Sequence, residues 1–296
     1  MSIYSIKQLE LVSGIKAHTI RMWEKRYSLF SPQRTDTNIR RYTDLDVQLI
    51  LNISLLTRNG FRISKVANKS LDELAELVLR ITAQKSVSDK SNLEPLIQSM
   101  LSFNQTDFKS YLSKSIVELG LEETFEATII PMLQRIGILW QTGMINSIHE
   151  HFISNLIKQT IIFHTENLKE PKSDSPLFVY FLPDGEFHEI GLLFYAYIGR
   201  KLGFRTLYLG QSTPLLDILK TVKPLKPKVL FTSISTTISN VNPSGFLKNI
   251  QKELPDSYLF VTGHKVYLER NSLPKSIIVV SSIESFTSKL SSLKIK

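Results

Sequence analysis

In the C-terminal third of this 296-residue chain, short apolar runs alternate with longer amphipathic stretches, and this alternation limits the fold more than any other feature. Strands that alternate with helices form a parallel sheet that is covered by helices on both faces. We therefore predict a doubly wound α/β domain, Rossmann-like in class, with a flavodoxin-like strand order. The predicted strands are residues 177–182, 205–209, 228–233, 258–262 and 277–281.

Small and polar residues follow the first, third and fourth of these predicted strands. In an open parallel sheet of this order, the ligand lies above the carboxyl ends of those strands. The three loops are residues 183–191, 233–237 and 262–264. Their composition predicts one shared crevice for a ligand that is wider than a mononucleotide.

The middle of the chain, from about residue 93 to residue 168, has helical periodicity and no strong strand pattern. We predict four helices here, packed as a bundle. Pro131 lies inside the third stretch and is expected either to kink that helix or to mark its true start. The polar segment 83–92 is the best candidate for a linker before the bundle.

The positive charge of the chain is concentrated near the N-terminus. The whole chain has 36 Lys and Arg against 27 Asp and Glu, a net charge of +9, and residues 1–70 contain twelve basic and five acidic residues. A basic segment beside a nearly neutral body indicates a separate module that binds a polyanion. The chain contains no Cys, which excludes disulfides, iron–sulfur clusters and cysteine nucleophiles.

No apolar run in the sequence is long enough to span a membrane, which takes about 20 residues. The N-terminal segment also lacks the apolar core of a signal peptide. We therefore expect a cytoplasmic protein that has no membrane partner.

Two short helices near the N-terminus have helix–turn–helix spacing. The first ends at Ser13-Gly14, and the second covers about residues 16–26, with Ile20 and Trp23 on its inner face. The outer face is basic and suits the major groove of DNA. Its candidate DNA contacts are His18, Thr19, Arg21, Lys25 and Arg26.

A segment rich in turn residues and arginines follows, which is typical of a two-stranded wing. The wing is expected to press its arginines onto phosphates, and such contacts set register and affinity but carry little sequence information. The candidate contacts are Arg34, Arg40, Arg41 and Tyr42.

Together these motifs resemble the winged helix–turn–helix of MerR-type transcription regulators. The resemblance is carried by residues 19–27, Pro32, 40–42 and 59–61, in that order. It implies double-stranded DNA as the partner, a near-palindromic operator and at least a dimer. The sequence Trp-Glu-Lys-Arg-Tyr at 23–27 is similar to the subgroup with cobalamin-type sensory domains.

The loop after the first C-terminal strand resembles the Asp-x-His-x-x-Gly motif of cobalamin-binding domains, with Glu186 in place of the Asp. The resemblance implies that His188 is the lower axial ligand of cobalt. It also implies that Glu186 accepts a hydrogen bond from the other ring nitrogen and that Gly191 leaves room for the corrin. The remaining cofactor contacts that it implies are Ser233, Ser235 and Gly263, the last followed by His264 where the family has a second Gly.

Trp140 is followed after nine residues by Glu150-His151, a pattern similar to light-sensing regulators of the CarH/LitR type. The resemblance implies that these three side chains cover the upper face of adenosylcobalamin. Family members have a His after the Trp, and this chain has Gln141 there.

Three domains are predicted: a MerR-type head at 1–75, a helical bundle that caps the cofactor at 90–170, and a cobalamin-binding domain at 175–296. The predicted function is a DNA-binding repressor without catalytic activity, which is controlled by adenosylcobalamin. Light would remove the adenosyl group and change the oligomeric state, a dimer or a tetramer.

Two other classes of protein stay open. One is a regulator with the same scaffold that responds to another ligand or to a protein partner without binding cobalamin. The other is a component of a cobalamin-dependent mutase or methyltransferase. The second is disfavoured because no segment is left for a substrate-binding barrel of about 250 residues.

Overall fold

The computed structural model describes residues 3–86, 93–235, 242–293 and 295, and all side chains there except those of Leu11 and residues 82–86. The chain splits into two compact units, Met1–Leu156 and Ile157–Lys296. Part of the predicted linker, 87–92, and Thr236 and Thr237 of the predicted crevice lie outside the described residues.

The first unit begins with the predicted helix–turn–helix and wing, in which Gly14 makes the turn with a φ of 71°. The two wing strands pair antiparallel. The elements are α1 (Ile6–Ser13), α2 (Ala17–Tyr27), β1 (Gln33–Arg34), β2 (Arg40–Arg41), α3 (Asp44–Arg58), α4 (Ile63–Val66) and α5 (Leu71–Ser86).

A single apolar core holds these elements together. Ile20 and Trp23 of α2 are buried in it as predicted, together with Ile50 and Ile53 of α3. The same core contains Leu74 and Val78 of α5. Helix α5 therefore packs with the head and stays helical through Ser86, beyond the predicted start of the linker.

The middle of the chain is helical as predicted, but the described residues form five α-helices where four were predicted, because the short α8 (Leu121–Thr124) and a π-helical turn precede α9 (Ile130–Gln141). Pro131 lies in the first turn of the α-helix that starts at Ile130, so it marks the start of α-helical hydrogen bonding rather than a kink inside it. A π-helical turn, Phe125–Ile129, precedes it. These helices are α6 (Glu94–Leu101), α7 (Gln105–Leu119), α8 (Leu121–Thr124), α9 (Ile130–Gln141) and α10 (Ser147–Glu166), and the unit boundary falls within α10.

The second unit has a parallel sheet with five strands in the described residues, ordered β4-β3-β5-β6-β7. This order confirms the predicted flavodoxin-like topology. The strands are β3 (Leu177–Pro183), β4 (Arg205–Thr213), β5 (Val229–Ser233), β6 (Tyr258–Thr262) and β7 (Ile278–Val279). The helices are α11 (Ile190–Lys201), α12 (Leu215–Val222), α13 (Pro243–Glu253), α14 (His264–Glu269) and α15 (Ile283–Ser292).

Strand β3 lies inside the sheet, and its side chains from Phe178 to Leu182 are fully buried. Val179 and Phe181 face an aliphatic core, whereas Tyr180 packs near Phe231 in an aromatic one. Burial on both faces explains why the strand is an unbroken apolar run. Within the described residues, the structure contains no helix long and apolar enough to cross a membrane.

Candidate DNA-binding surface and cofactor site

Helix α2 presents a basic face to solvent. His18, Arg21, Lys25 and Arg26 are exposed, while Thr19 at the edge of this face is half-buried. The helix is held from behind by its buried residues, so the charged side chains are displayed on a fixed support. Such a face is suited to phosphate and base contacts in a major groove.

The wing is tied to α2 through Glu24. The Nε of Arg40 lies 3.1 Å from both carboxylate oxygens of Glu24, and this contact raises the pKa of Arg40. Arg34 reaches the same carboxylate at 4.0 Å and also donates to Asn38 at 2.6 Å. Arg41 is exposed. The two predicted phosphate contacts therefore differ in their surroundings. Arg40 is paired with Glu24 within the head, whereas Arg41 is exposed to solvent.

Tyr42 corrects the prediction for the wing. Its side chain is fully buried, its ring packs edge-on against Phe30, and its hydroxyl lies 3.4 Å from Glu24. Burial and the nearby carboxylate raise its pKa to about 12. The ring anchors the wing to the core and is not placed to touch DNA.

We expect Arg41→Ala to weaken DNA binding without loss of thermal stability, because its guanidinium is exposed. The slope of log affinity against log salt should fall by about 1, as for the loss of one phosphate contact. Arg40→Ala is the comparison variant. Unlike Arg41→Ala, it should lower the free energy of unfolding by about 1 kcal/mol, because it breaks the ion pair with Glu24. Fluorescence anisotropy across a salt series measures the slopes, and an unchanged slope for Arg41→Ala would contradict the assignment.

The loop after β3 is organised around the carboxylate of Glu186, which is fully buried. Its Oε1 accepts hydrogen bonds from the backbone amides of Phe187 and His188, both at 3.0 Å. The same oxygen lies 2.7 Å from Nδ1 of His188, and Oε2 accepts from the amide of Ser235 at 2.8 Å. These bonds compensate for burying the charge.

The carboxylate fixes the chemistry of the His188 ring. Because a carboxylate accepts, Nδ1 is the protonated nitrogen, and in the neutral ring Nε2 then carries the lone pair. The side chain is 68% exposed although its partner is buried. An imidazole held in this way at the carboxyl ends of the strands is suited to bind a metal through Nε2, because an acid on the other ring nitrogen orients metal-binding histidines.

Three loops meet at this edge, as the sequence predicts. Glu186 links the loop after β3 to Ser235 after β5, and the hydroxyls of Ser233 and Ser235 lie 3.2 Å apart. Gly263 follows β6 with a φ of 110°, and a Cβ there would lie 2.4 Å from the carbonyl oxygen of Ile234. The backbone of this loop therefore packs directly on the loop after β5, which only a glycine permits.

The residues present fit a cobalamin. Besides the oriented imidazole of His188, the chain leaves open space beside Gly191, where an added Cβ would meet no atom within 4 Å. Gly191 lies in the first turn of α11 with an ordinary helical φ, so neither crowding nor conformation within this chain calls for a glycine. The resemblance to cobalamin-binding domains explains the glycine at position 191 by the room that a bound corrin needs.

The sequence did not reveal two further residues that hold the loop after β3 in place. The Ser212 hydroxyl accepts from the amide of Gly185 at 3.0 Å and donates to Asp184 at 2.9 Å. Glu189 contacts Lys158 at 3.1 Å and accepts from the Tyr208 hydroxyl at 3.0 Å. Both sets of contacts involve residues of β4, which extends to Thr213, four residues past its predicted end. No local sequence pattern could have predicted these contacts.

The residues predicted to cover the cofactor lie at the end of α9 and the start of α10. Trp140 is half-buried and packs against the core of the head. Glu150 hydrogen-bonds Ser154, and its other oxygen lies 3.0 Å from Nδ1 of His151, whose side chain is 67% exposed.

Comparison with known families defines the class of protein. Residues 4–71 match the family described as MerR HTH family regulatory protein, and residues 93–162 match the family described as B12 binding domain. The chain therefore carries a MerR-type DNA-binding domain followed by a B12-binding domain, which makes it a B12-controlled DNA-binding transcription regulator. This confirms the predicted class and the predicted cobalamin cofactor.

Individual relatives agree with this class. The chain is 29% identical over 242 residues to the HTH-type transcriptional repressor CarH of Myxococcus xanthus, covering 80% of this chain and 79% of that protein. It is 22% identical over 227 residues to the transcriptional repressor CarA of the same organism, covering 76% and 74%. These relatives are regulators, and the chain is a regulator rather than an enzyme, as predicted.

A solved structure supports the fold. The monomethylamine corrinoid protein of Methanosarcina barkeri is 15% identical, with a TM-score of 0.53 and coverage of 68% of this chain and 100% of that chain. At this identity the likeness concerns the fold alone, and it agrees with the predicted Rossmann-like class.

Proposed function

We propose that this regulator is a repressor that binds adenosylcobalamin through His188 and responds to light. The observation that carries the proposal is the exposed imidazole of His188, whose Nδ1 is held by the fully buried Glu186. One oriented nitrogen donor would suit a cobalt ion whose other ligands come with the cofactor itself. The names of the two relatives, both transcriptional repressors, support the sign of regulation.

The other predicted residues complete the proposed site. Ser233, Ser235, Gly191 and Gly263 line the lower side, near the ligating His188. Trp140, Glu150 and His151 cover the upper face, where the rigid indole offers a large apolar area beside the adenosyl group. We assign the DNA contacts to the exposed face of α2 and to the wing arginines: His18, Thr19, Arg21, Lys25, Arg26, Arg34, Arg40 and Arg41.

Adenosylcobalamin supplies a cobalt–carbon bond that light breaks. In the dark, the chain's cap (90–170) and cobalamin domain (175–296) hold the cofactor and assemble into a dimer or tetramer. Several DNA-binding heads (1–75) on one oligomer then engage a near-palindromic operator, which raises avidity by about 10²–10⁴. Without the adenosyl group, Trp140 would lose its proposed partner, and the cap and the cobalamin domain would no longer hold the oligomer together. Because the target is DNA and the chain has no Cys, we place the protein in the cytoplasm.

A second candidate is the same scaffold without cobalamin, responding to another ligand or to a protein. It is favoured by His264, which begins α14 next to Gly263, and by Gln141, whose amide is bonded to Asn52 at 3.2 Å. These two positions differ from the family pattern.

Size-exclusion chromatography of dark-reconstituted protein tests the proposal. We expect cobalamin absorbance to elute with the protein at a dimer or tetramer position and to shift to a smaller species after green illumination. DNA affinity, measured on the same fractions, should fall by at least about tenfold. Protein that elutes without visible absorbance, at one position in darkness and light, would support the second candidate.

A further inference from the structure

Helix α3 of the head is hydrogen-bonded to the end of α9, far away in the sequence. The Gln48 side chain donates to the Trp140 carbonyl at 3.0 Å. Asn52 donates to the Gln141 carbonyl at 3.1 Å and accepts from the Gln141 side chain at 3.2 Å. We call the set formed by Gln48, Asn52 and Gln141 the amide joint.

The amide joint is a specific contact. Asn52 lies in the interior of α3 and is only 1% exposed. Its amide group donates to and accepts from the same residue, Gln141, so both ends of the buried group are satisfied together. Separation would leave a buried polar group without its partner, which is costly.

Trp140 is held in place by the same hydrogen bonds. Its carbonyl accepts from Gln48, the next residue is bonded to Asn52, and its indole packs on the core of the head. A shift of the Trp140 indole would therefore strain the hydrogen bonds from Gln48 and Asn52 of α3 to the end of α9.

Helix α3 leads in turn to the helix–turn–helix. Ser54 and Arg58 each donate to the carbonyl of Ser13 at 2.7 Å. Ser13 ends α1 immediately before the turn into α2. The contacts from Trp140 to this turn are continuous, through the joint and helix α3. Chains of hydrogen bonds and rigid helices of this kind can carry coupling between distant sites.

We propose that Asn52 and Gln141 are positioning residues that transmit cofactor occupancy at Trp140 to the DNA-binding head. The inference rests on the proposed function, since it takes Trp140 as the cover of the cofactor. It also assigns a role to Gln141: its amide serves the joint, and a change at this position alters coupling rather than cofactor retention.

The test compares DNA affinity with and without adenosylcobalamin, in darkness, for wild type, Gln141→Leu and the double variant Asn52→Leu with Gln141→Leu. The double variant replaces both polar partners by apolar groups, which spares the fold the cost of an unpaired amide. Thr57→Val and Thr142→Val are matched controls, because these hydroxyls bond only to carbonyls of their own turn in the described contacts.

We expect the ratio of the two affinities to fall in Gln141→Leu, which keeps the bond from Asn52 to the main-chain carbonyl of residue 141. It should fall further in the double variant, by about 5–150-fold as for typical coupling, while the share of the ratio that comes from oligomer avidity stays. The absorbance of bound cobalamin should stay at the wild-type level, and both threonine controls should keep the wild-type ratio. A general weakening of DNA binding cancels in the ratio, so a purely structural role would not move it.

Two negative results are distinguishable. If wild type responds to the cofactor and both joint variants respond equally, the joint is not the coupling element. If wild type itself retains no cobalamin absorbance, the proposed function fails, and the inference fails with it.

Discussion

His188→Ala is expected to lower the affinity for cobalamin by at least about 100-fold. Loss of a residue that merely orients a metal ligand costs about 10–100-fold, and His188 is proposed as the ligand itself. The side chain is 68% exposed, so its removal should leave the fold intact. Gel filtration after dark reconstitution measures the ratio of cobalamin absorbance to protein.

The matched control for this variant is His164→Ala. His164 lies in α10, where its ring packs edge-on against Phe163. It should retain cofactor as wild type does, and its DNA affinity should still depend on adenosylcobalamin. If His188→Ala instead retains cobalamin at the wild-type ratio, His188 is not the axial ligand.

Gly263→Ala is expected to destabilise the second unit strongly. The backbone of Gly263 has φ 110° and ψ 154°, a region that is essentially restricted to glycine and costs other residues about 1–3 kcal/mol. The new Cβ would also lie within 2.4–2.8 Å of the Ile234 backbone, which would have to move at a further cost of about 1–3 kcal/mol. Urea unfolding followed by near-UV circular dichroism should show the loss, even without cofactor.

Gly191→Ala provides the contrast, because a Cβ there has open space and the residue is helical. Its unfolding free energy should be unchanged or higher by up to about 1 kcal/mol. Equal losses for the two alanine variants would show that Gly263 is not held by contact with Ile234.

Much of the α/β unit was predictable because its pattern is local. The buried strand Leu177–Pro183 is an unbroken apolar run in the sequence. The alternation of such runs with helical stretches predicts a parallel sheet. The end of β4 escaped prediction because Gly210, Gln211 and Ser212 read as a turn, yet they continue the strand with an irregular register.

In the candidate sites, too, local features could be predicted from the sequence, whereas features set by tertiary packing could not. The resemblance to the motif of cobalamin-binding domains implied that Glu186 pairs with the His188 ring, and the structure brings the two together at 2.7 Å. Tyr42 was predicted to contact DNA as part of the wing, but its ring is buried against Phe30. No pattern in the sequence could link Asn52 to Gln141, which are 89 positions apart, since only the tertiary fold makes them neighbours.

The account depends most on one bond, between the imidazole of His188 and cobalt. Electron paramagnetic resonance of cob(II)alamin bound to protein uniformly labelled with nitrogen-15 tests it directly. A histidine nitrogen from the protein splits the cobalt lines into doublets, because nitrogen-15 has spin one-half. We predict doublets that disappear in His188→Ala. Triplets, which arise when the unlabelled base of the cofactor itself binds the metal, would contradict the account.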